Sequence, residues 1–163
     1  SNDVAPLSSK NQLDTVLRYI GVGTEEGARL TFGGHQLQED KFADGYYIEP
    51  TIFTEVDPEM RIAKEEIFGP VFSVLEYQDT EEAIHLANDT DYGLGGGVFT
   101  KDLNKASRTA SKLEAGQVYV NKWFTGSHAT PFGGYKQSGY SREKGVDALK
   151  SYLQVKNVGI SLG

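Results

Sequence analysis

Lys64-Glu65-Glu66-Ile67-Phe68-Gly69-Pro70-Val71 is the stretch from which the rest of the chain can be read. Two adjacent carboxylates run into an apolar pair, then Gly-Pro, then a strand-like run from Val71 to Leu75. Proline fixes its own φ, lacks an N–H and pushes the residue before it out of the helical region. A helix arriving from upstream must therefore stop here. The carboxylates sit on a loop or a last helical turn at the mouth of a strand, where open α/β sheets carry their ligand groups. Taken alone, an acidic pair is more ordinarily a solvated surface. Phe68 and Gly69-Pro70 beside it point elsewhere: a carboxylate accepts two hydrogen bonds from a ribose diol, and an aromatic packs against a planar ring.

Outward from this stretch the chain alternates. Ser8 or Ser9 caps a helix that carries Leu13, Val16, Leu17 and Ile20 at helical spacing, runs to Glu26 and stops at Gly27. Residues 28–32 read as a short strand closed by Gly33-Gly34, and 35–45 as an exposed loop or hairpin tip. Residues 46–56 are rich in aromatic and β-branched side chains around Pro50, which predicts an edge strand or an extended crossing segment. Asp57-Pro58 turns the chain back towards the quoted stretch. Downstream, a strand over 71–77 leads to a helix over 81–88, capped by Thr80, with Ala83, Ile84 and Ala87 on one side. A short apolar strand over 94–100 has the composition of a buried one. Asp102 opens a helix to Leu113 with Leu103, Ala106, Ala110 and Leu113 inward; Gly116 ends it, and 117–120 is a further strand with Asn121 at its carboxyl end. The alternation predicts βαβ units and an α/β fold: a mainly parallel open sheet flanked by helices. Residues 140–149 read as a loop and a short helix. Residues 151–162 read as one extended strand with Tyr152, Val155, Val158, Ile160 and Leu162 as its apolar side chains. An edge of that length must pair in another subunit or domain, since unpaired it invites aggregation.

At 163 residues the chain has the size of one domain. No apolar run approaches the roughly 18–20 residues of a membrane span, and no signal-peptide pattern opens the chain. A formal net charge of -7 disfavours nucleic acid and anionic membranes as partners. The expectation is a cytoplasmic protein. With no Cys there is no disulfide framework, thiolate metal site or thiol nucleophile in these residues. The one Met is Met60, and Ser1-Asn2 reads as the scar of a cleaved tag, so the expectation is a piece of something larger.

Each candidate for chemistry has an ordinary reading beside it. His35, His85 and His128 lie far apart with no carboxylate at ligand spacing, so no metal site is expected. Tyr92-Gly93-Leu94-Gly95-Gly96-Gly97 lacks the Lys-Ser/Thr of a P-loop; its glycines fit close approach of another element to a strand. Adjacency of Ser127 and His128 does not make a nucleophile–base pair. The segment 121–144 leaves a strand end at Asn121, crosses aromatics and small residues and turns at Gly133-Gly134. Trp123, Phe124 and Phe132 either line an apolar pocket or anchor a long loop in the core, and spacing leaves both open.

Lys64–Val71, taken with Pro131–Gly139 and Arg142-Glu143-Lys144-Gly145, resembles the C-terminal part of the NAD(P)-dependent aldehyde dehydrogenase superfamily. Asp3–Gly27, Gly45–Thr51, Tyr92-Gly93-Leu94 and Ala115–Asn121 match in the family's order and spacing, so the resemblance covers all but Ser1-Asn2. It implies a catalytic-domain portion over 3–138, then a connecting helix and oligomerisation strand over 139–163. Glu66 matches the carboxylate that holds the nicotinamide ribose, Phe68 the aromatic beside the nicotinamide, and Gln12 a helix residue that helps hold the cofactor, NAD or NADP; a lysine often found three residues on is Thr15 here. Phe132 matches an aromatic wall of the aldehyde channel, Phe124 and Gly126 occupy variable channel positions, and Trp123 contributes. Glu143 matches a carboxylate that relays protons in some members, against a structural ion pair with Arg142 or Lys144. Lys136 and Gly139 match backbone positions that bind a monovalent cation in some members.

The family oxidises an aldehyde through attack of a Cys thiolate, hydride transfer to NAD(P)+ and hydrolysis of the thioester by water activated by a Glu. That nucleophile and base, and the domain holding most of the cofactor, lie outside this chain. The expectation is therefore an inactive fragment whose partners are an aldehyde, its own N-terminal portion and further copies in a homodimer or homotetramer. The rival readings are a stand-alone interaction module that kept the fold and lost the chemistry, and a small nucleotide-binding domain using Gly93–Gly97.

Overall fold

The computed structural model describes residues 4–163; Ser1-Asn2, read above as a tag remnant, lie outside the described residues. The chain divides into two compact units, Ser1–Asp79 and Thr80–Gly163.

The first unit is built on helix α1 (Lys10–Glu25). Ser9 caps it, its side chain accepting from the Gln12 N–H, and Gly27 ends it with φ +98°. The face of α1 carrying Leu13, Val16, Tyr19 and Ile20 is buried. It packs on a three-stranded sheet of β1 (Arg29–Phe32), β2 (Thr51–Thr54) and β3 (Val71–Ser73), with the short helix α2 (Arg61–Lys64) between β2 and β3. A Cβ on Gly23 would lie 2.9 Å from Ile62 Cδ1, so glycine there lets α2 approach α1. Strand β2 is central, antiparallel to β1 and parallel to β3, and buries Phe53 and Thr51 completely. This corrects the edge-strand expectation for 46–56. Pro50 stands just before the strand, removes no donor from its ladder, and leaves the Thr51 N–H to bond Pro70 O. The loop after β1 closes as a hairpin through an isolated Gln36–Ile48 bridge.

In the second unit, α3 (Thr80–Asn88) and α4 (Leu103–Lys112) accompany two small sheets. Strands β5 (Gly95–Val98) and β6 (Gln117–Val120) pair in parallel; β4 (Tyr92–Gly93) and β7 (Tyr135–Lys136) pair antiparallel. Asp102 caps α4 through the N–H groups of Asn104 and Lys105. Ala106 and Thr109, rather than Leu103, carry its buried stripe, because a two-stranded sheet is too narrow to cover the first turn. Ile84 is the buried residue of α3, while Ala87 is exposed. The strand expected over 94–100 is not buried on both faces: Phe99 stands in solvent. The short helix expected near 140–149 is a 3₁₀ helix over Val146–Tyr152, and residues 154–163 are exposed and pair with no strand among the described residues.

The fold is α/β as expected; among the described residues two of the four strand pairings are parallel and two antiparallel, spread over three small sheets.

Candidate functional site

In the first unit, α1 is the platform. Gln12, Val16 and Tyr19 recur at helical spacing along one face, and each touches the loop from Glu65 to Gly69. Gln12 Nε2 donates to Phe68 O at 2.6 Å and to Ile67 O at 3.2 Å. Val16, fully buried, abuts Gly69, where a Cβ would come within 2.5 Å of Val16 Cγ2. Tyr19 donates its phenolic O–H to Glu65 Oε2 at 2.6 Å.

Arg61 completes the hold on Glu65. Its Nε and Nη2 donate to the two carboxylate oxygens, each at 2.8 Å, in the fork geometry that suits guanidinium and carboxylate. Hydrogen bonds from Arg61 first, then from Tyr19, lower the Glu65 carboxyl from 4.5 to about 2, and the Arg61 guanidinium is held still further above its usual range. Arg18 and Arg61 both stack on the Tyr19 ring, at 4.6 and 5.5 Å from its centroid.

Glu66 is different. It is exposed and makes no hydrogen bond or ion pair among the described residues. Glu65 is exposed too, but its side chain is bound by Tyr19 and Arg61; its backbone is extended, and successive side chains on extended backbone point to opposite sides, so Glu66 is turned away from those two donors. Ile67 is buried and fastens the loop to the core. Phe68 follows with φ +58° and 75% of its surface exposed. A non-glycine residue in this left-handed region costs about 1–2 kcal/mol, and the two Gln12 hydrogen bonds offset a strain of that size. Thr15, in the matched lysine position, is half-buried on α1.

In the second unit, Asn121 (φ +55°) ends β6 and ties it to the Thr100 backbone through both side-chain amide atoms, at 2.8 Å each. Beyond it Trp123 and Phe124 gather around Tyr119, with ring centroids 5.5 and 6.2 Å away. Trp123 lies over β5, where a Cβ on Gly97 would come within 3.3 Å of its ring. Phe124 has φ +53°, and a Cβ on Gly126 would lie 3.8 Å from its ring, an ordinary van der Waals distance. Phe132 and Glu143 are directly opposite each other, exchanging two backbone hydrogen bonds of 2.7 Å. Their segment is seated on β6 by the approach of Gly133 to Gly116, where a Cβ would collide with Gly133 O. The Glu143 side chain is exposed and forms no ion pair among the described residues. Arg142 donates instead to Gly134 O and Ser141 O, and Lys144 sits 5.2 Å over the Phe132 ring, so the structural ion pair is not formed.

Lys136 Nζ is enclosed by Asn88 O at 2.6 Å, Thr90 O at 3.1 Å and the Glu114 carboxylate at 2.7 Å. Its carbonyl accepts from the Gly139 N–H at 3.3 Å. Both residues border a shallow cleft of about 310 Å³ beside Tyr135 and Tyr140. Among the described residues no group of His, Asp and Glu is placed to hold a metal ion. Gly95–Val98 run as an extended strand paired with β6, and Gly93 donates to Ser138 Oγ, so these glycines do not form the turn of a phosphate loop. Ser127 Oγ accepts from the Ala129 N–H in a local turn and has no imidazole partner.

The roles of Tyr19 and Arg61 were missed in the sequence. Arg61 was legible, since it precedes Glu65 by one helical turn; Tyr19 is 46 residues away and left no local signal.

The model of the aldehyde dehydrogenase family matches residues 1–158. Among solved structures, an indole-3-acetaldehyde dehydrogenase in complex with NAD+ is 49% identical, with a TM-score of 0.91 over 98% of this chain and 32% of its own. A variant of P. syringae indole-3-acetaldehyde dehydrogenase, bound to NAD+ and IAA, is 48% identical with a TM-score of 0.90 over 98% and 32%. Betaine aldehyde dehydrogenase from Staphylococcus aureus in complex with NAD+ is 43% identical with a TM-score of 0.89, over 92% of this chain and 30% of its own. The chain thus spans about a third of the length of the enzymes it matches.

Proposed function

The chain belongs to the aldehyde dehydrogenase family, and on that premise we propose that it is the C-terminal part of an enzyme that oxidises an aldehyde to a carboxylic acid with NAD(P)+. The observation that carries this reading is the unpaired, outward Glu66 beside the exposed Phe68, on a loop pinned from both sides. A carboxylate with no protein partner keeps its acceptor sites for the two hydroxyls of a ribose. Phe68 offers a ring face to the nicotinamide, and Gln12 serves the cofactor by holding the two carbonyls that set this loop. NAD or NADP supplies the acceptor for the hydride that leaves the aldehyde carbon. Most of its binding belongs to residues outside this chain.

Trp123 and Phe124, gathered round Tyr119, with Gly126 adding no side chain, supply an apolar wall for the aldehyde, to which the family resemblance adds Phe132. Glu143, exposed and without an ion pair among the described residues, would relay protons to water. Lys136 and Gly139 would offer backbone oxygen to a monovalent cation. The 163 residues contain no Cys, so a thiolate nucleophile must come from outside them, and the chain alone is expected to be inactive. The exposed run 153–163 is proposed to pair in a neighbouring copy of a homodimer or homotetramer. Among the described residues no helix is long and apolar enough to cross a membrane; a cytoplasmic location belongs to the proposal.

The test is NAD(P)H formation by the full-length protein that carries this chain, over a panel of aliphatic and aromatic aldehydes, with Glu66→Gln alongside. Turnover with a raised KM for the dinucleotide in the variant is the expected result. No turnover with any aldehyde overturns the reading in favour of a non-catalytic module of the same fold.

A further inference from the structure

We propose that Tyr19 and Arg61 are positioning residues for Glu66, acting through the carboxylate of Glu65; the inference rests on the proposed cofactor role of Glu66. Three observations carry it. First, Glu65 is the only one of the two acidic neighbours that the protein binds: Tyr19 and Arg61 together give it three hydrogen bonds of 2.6–2.8 Å. Second, the two donors come from different elements and have little freedom. Tyr19 is buried on α1 with two guanidinium groups against its ring, and Arg61 opens α2 and receives the Glu65 N–H at its own carbonyl, 2.8 Å away. Third, the backbone between the anchors leaves one rotational solution. Glu65 is extended, Ile67 is buried, and the Ile67 and Phe68 carbonyls are held by Gln12. With residue 65 held on one side and residues 67 and 68 on the other, the Cα–Cβ direction of Glu66 is fixed although its side chain makes no hydrogen bond or ion pair among the described residues.

A carboxylate that must meet two hydroxyls at once gains from such pre-orientation, because the ordering cost is met on folding rather than on binding. A link used only for stability predicts something else: loss of Tyr19 or Arg61 lowers the melting temperature and leaves dinucleotide binding alone.

The experiment uses the full-length protein. Tyr19→Phe removes the O–H and keeps the ring and its guanidinium contacts; Arg61→Lys keeps the charge and loses the fork. Each is expected to raise KM for the dinucleotide by roughly three- to tenfold, the size of one charge-assisted hydrogen bond discounted for exposure, with KM for the aldehyde unchanged. In a Glu66→Gln background, Tyr19→Phe should add nothing further, since the group it positions is already disabled. Multiplicative effects in that double variant overturn the inference, as do lowered melting temperatures with both KM values unchanged. Arg61→Lys is on the surface and reads the same link if Tyr19→Phe fails to fold. Absence of turnover in the unsubstituted protein overturns the proposed function and this inference together, whereas turnover that the substitutions do not alter overturns this inference alone.

Discussion

Gly69 is where the site loop is pressed hardest against the core, and replacing it with alanine sets two effects of opposite sign against each other. A Cβ at residue 69 would lie 2.5 Å from Val16 Cγ2 and 3.2 Å from Cγ1. Unbonded carbons rest at about 3.5–4.0 Å, so roughly 1 Å must be opened between α1 and the loop. Val16 is fully buried and β-branched, which holds it in one helical rotamer and leaves the backbone to move. Overpacking of this kind costs about 1–3 kcal/mol. Against it, alanine restricts the unfolded chain and gains about 0.4–1 kcal/mol, since Gly69 does not need positive φ. The net expectation for Gly69→Ala is a loss of about 1–2 kcal/mol. Val16→Ala alone removes two buried methyl groups and should cost about 2–3 kcal/mol. In the double variant the new methyl occupies the space that Val16 vacates, so the loss should fall below the sum by about 1–2 kcal/mol. Urea unfolding of the 163-residue chain, followed by far-ultraviolet circular dichroism, gives each value from the midpoint at constant slope. A neutral or stabilising Gly69→Ala, or strict additivity in the double variant, would refute the close approach.

Three further outcomes follow from particular contacts. The Glu65 carboxyl is depressed from 4.5 to about 2 in the folded chain, so its stabilisation is complete above pH 4.5 and is lost as the pH falls towards 2. The stability difference between the unsubstituted chain and Glu65→Gln should therefore narrow across that window, and a difference independent of pH contradicts the assignment. Asn88 accepts from the Glu114 N–H and donates to the last carbonyl of α4, each at 2.9 Å, so Asn88→Ala should cost about 1–2 kcal/mol. A thermal melt checks it, with a fall of about 2–4 °C for each kcal/mol in a chain of this size. The exposed apolar run Leu153, Val155, Val158, Ile160 and Leu162 should make the chain self-associate at tens of micromolar, and removal of residues 153–163 should relieve it. Monodisperse monomer by light scattering before truncation would contradict that.

The parts of the fold that could be read from the sequence are those decided by local chemistry. Ser9 and Asp102 cap their helices because each has a short acceptor side chain one residue before the first turn, and Gly27 stops α1 because it adopts the left-handed conformation without a Cβ penalty. Strand 117–120 was readable for a similar reason: Gly116 and Asn121 bound it on either side. What could not be read depended on partners distant in the chain. The rank of β2 in its sheet is set by β1 and β3, and neither alternation nor the nearby Pro50 encodes how many neighbours a strand has. The exposure of Leu103 and Phe99 follows likewise from the width of the layer they meet, not from their own polarity.

The acidic pair shows where that boundary falls within a single site. By composition Glu65 and Glu66 are interchangeable, and apart from the family resemblance, which singles out Glu66, nothing in the motif separates them. Arg61 breaks the tie. On a helix a guanidinium reaches the residue four positions on, which is Glu65, while Glu66 lies beyond the last turn of α2. The residue that looks most like a site carboxylate by its bonding is thus the structural one. Glu66, with nothing bound to it, is the one whose acceptor capacity remains available, and its direction is set by its neighbour's bonds rather than its own. The Glu66 carboxylate is exposed and unpaired among the described residues while the loop around it is anchored, so its acceptor oxygens stay available to a ligand from outside the chain. That asymmetry, rather than the presence of two glutamates, is the physical argument behind the proposal that the cofactor's ribose binds at Glu66.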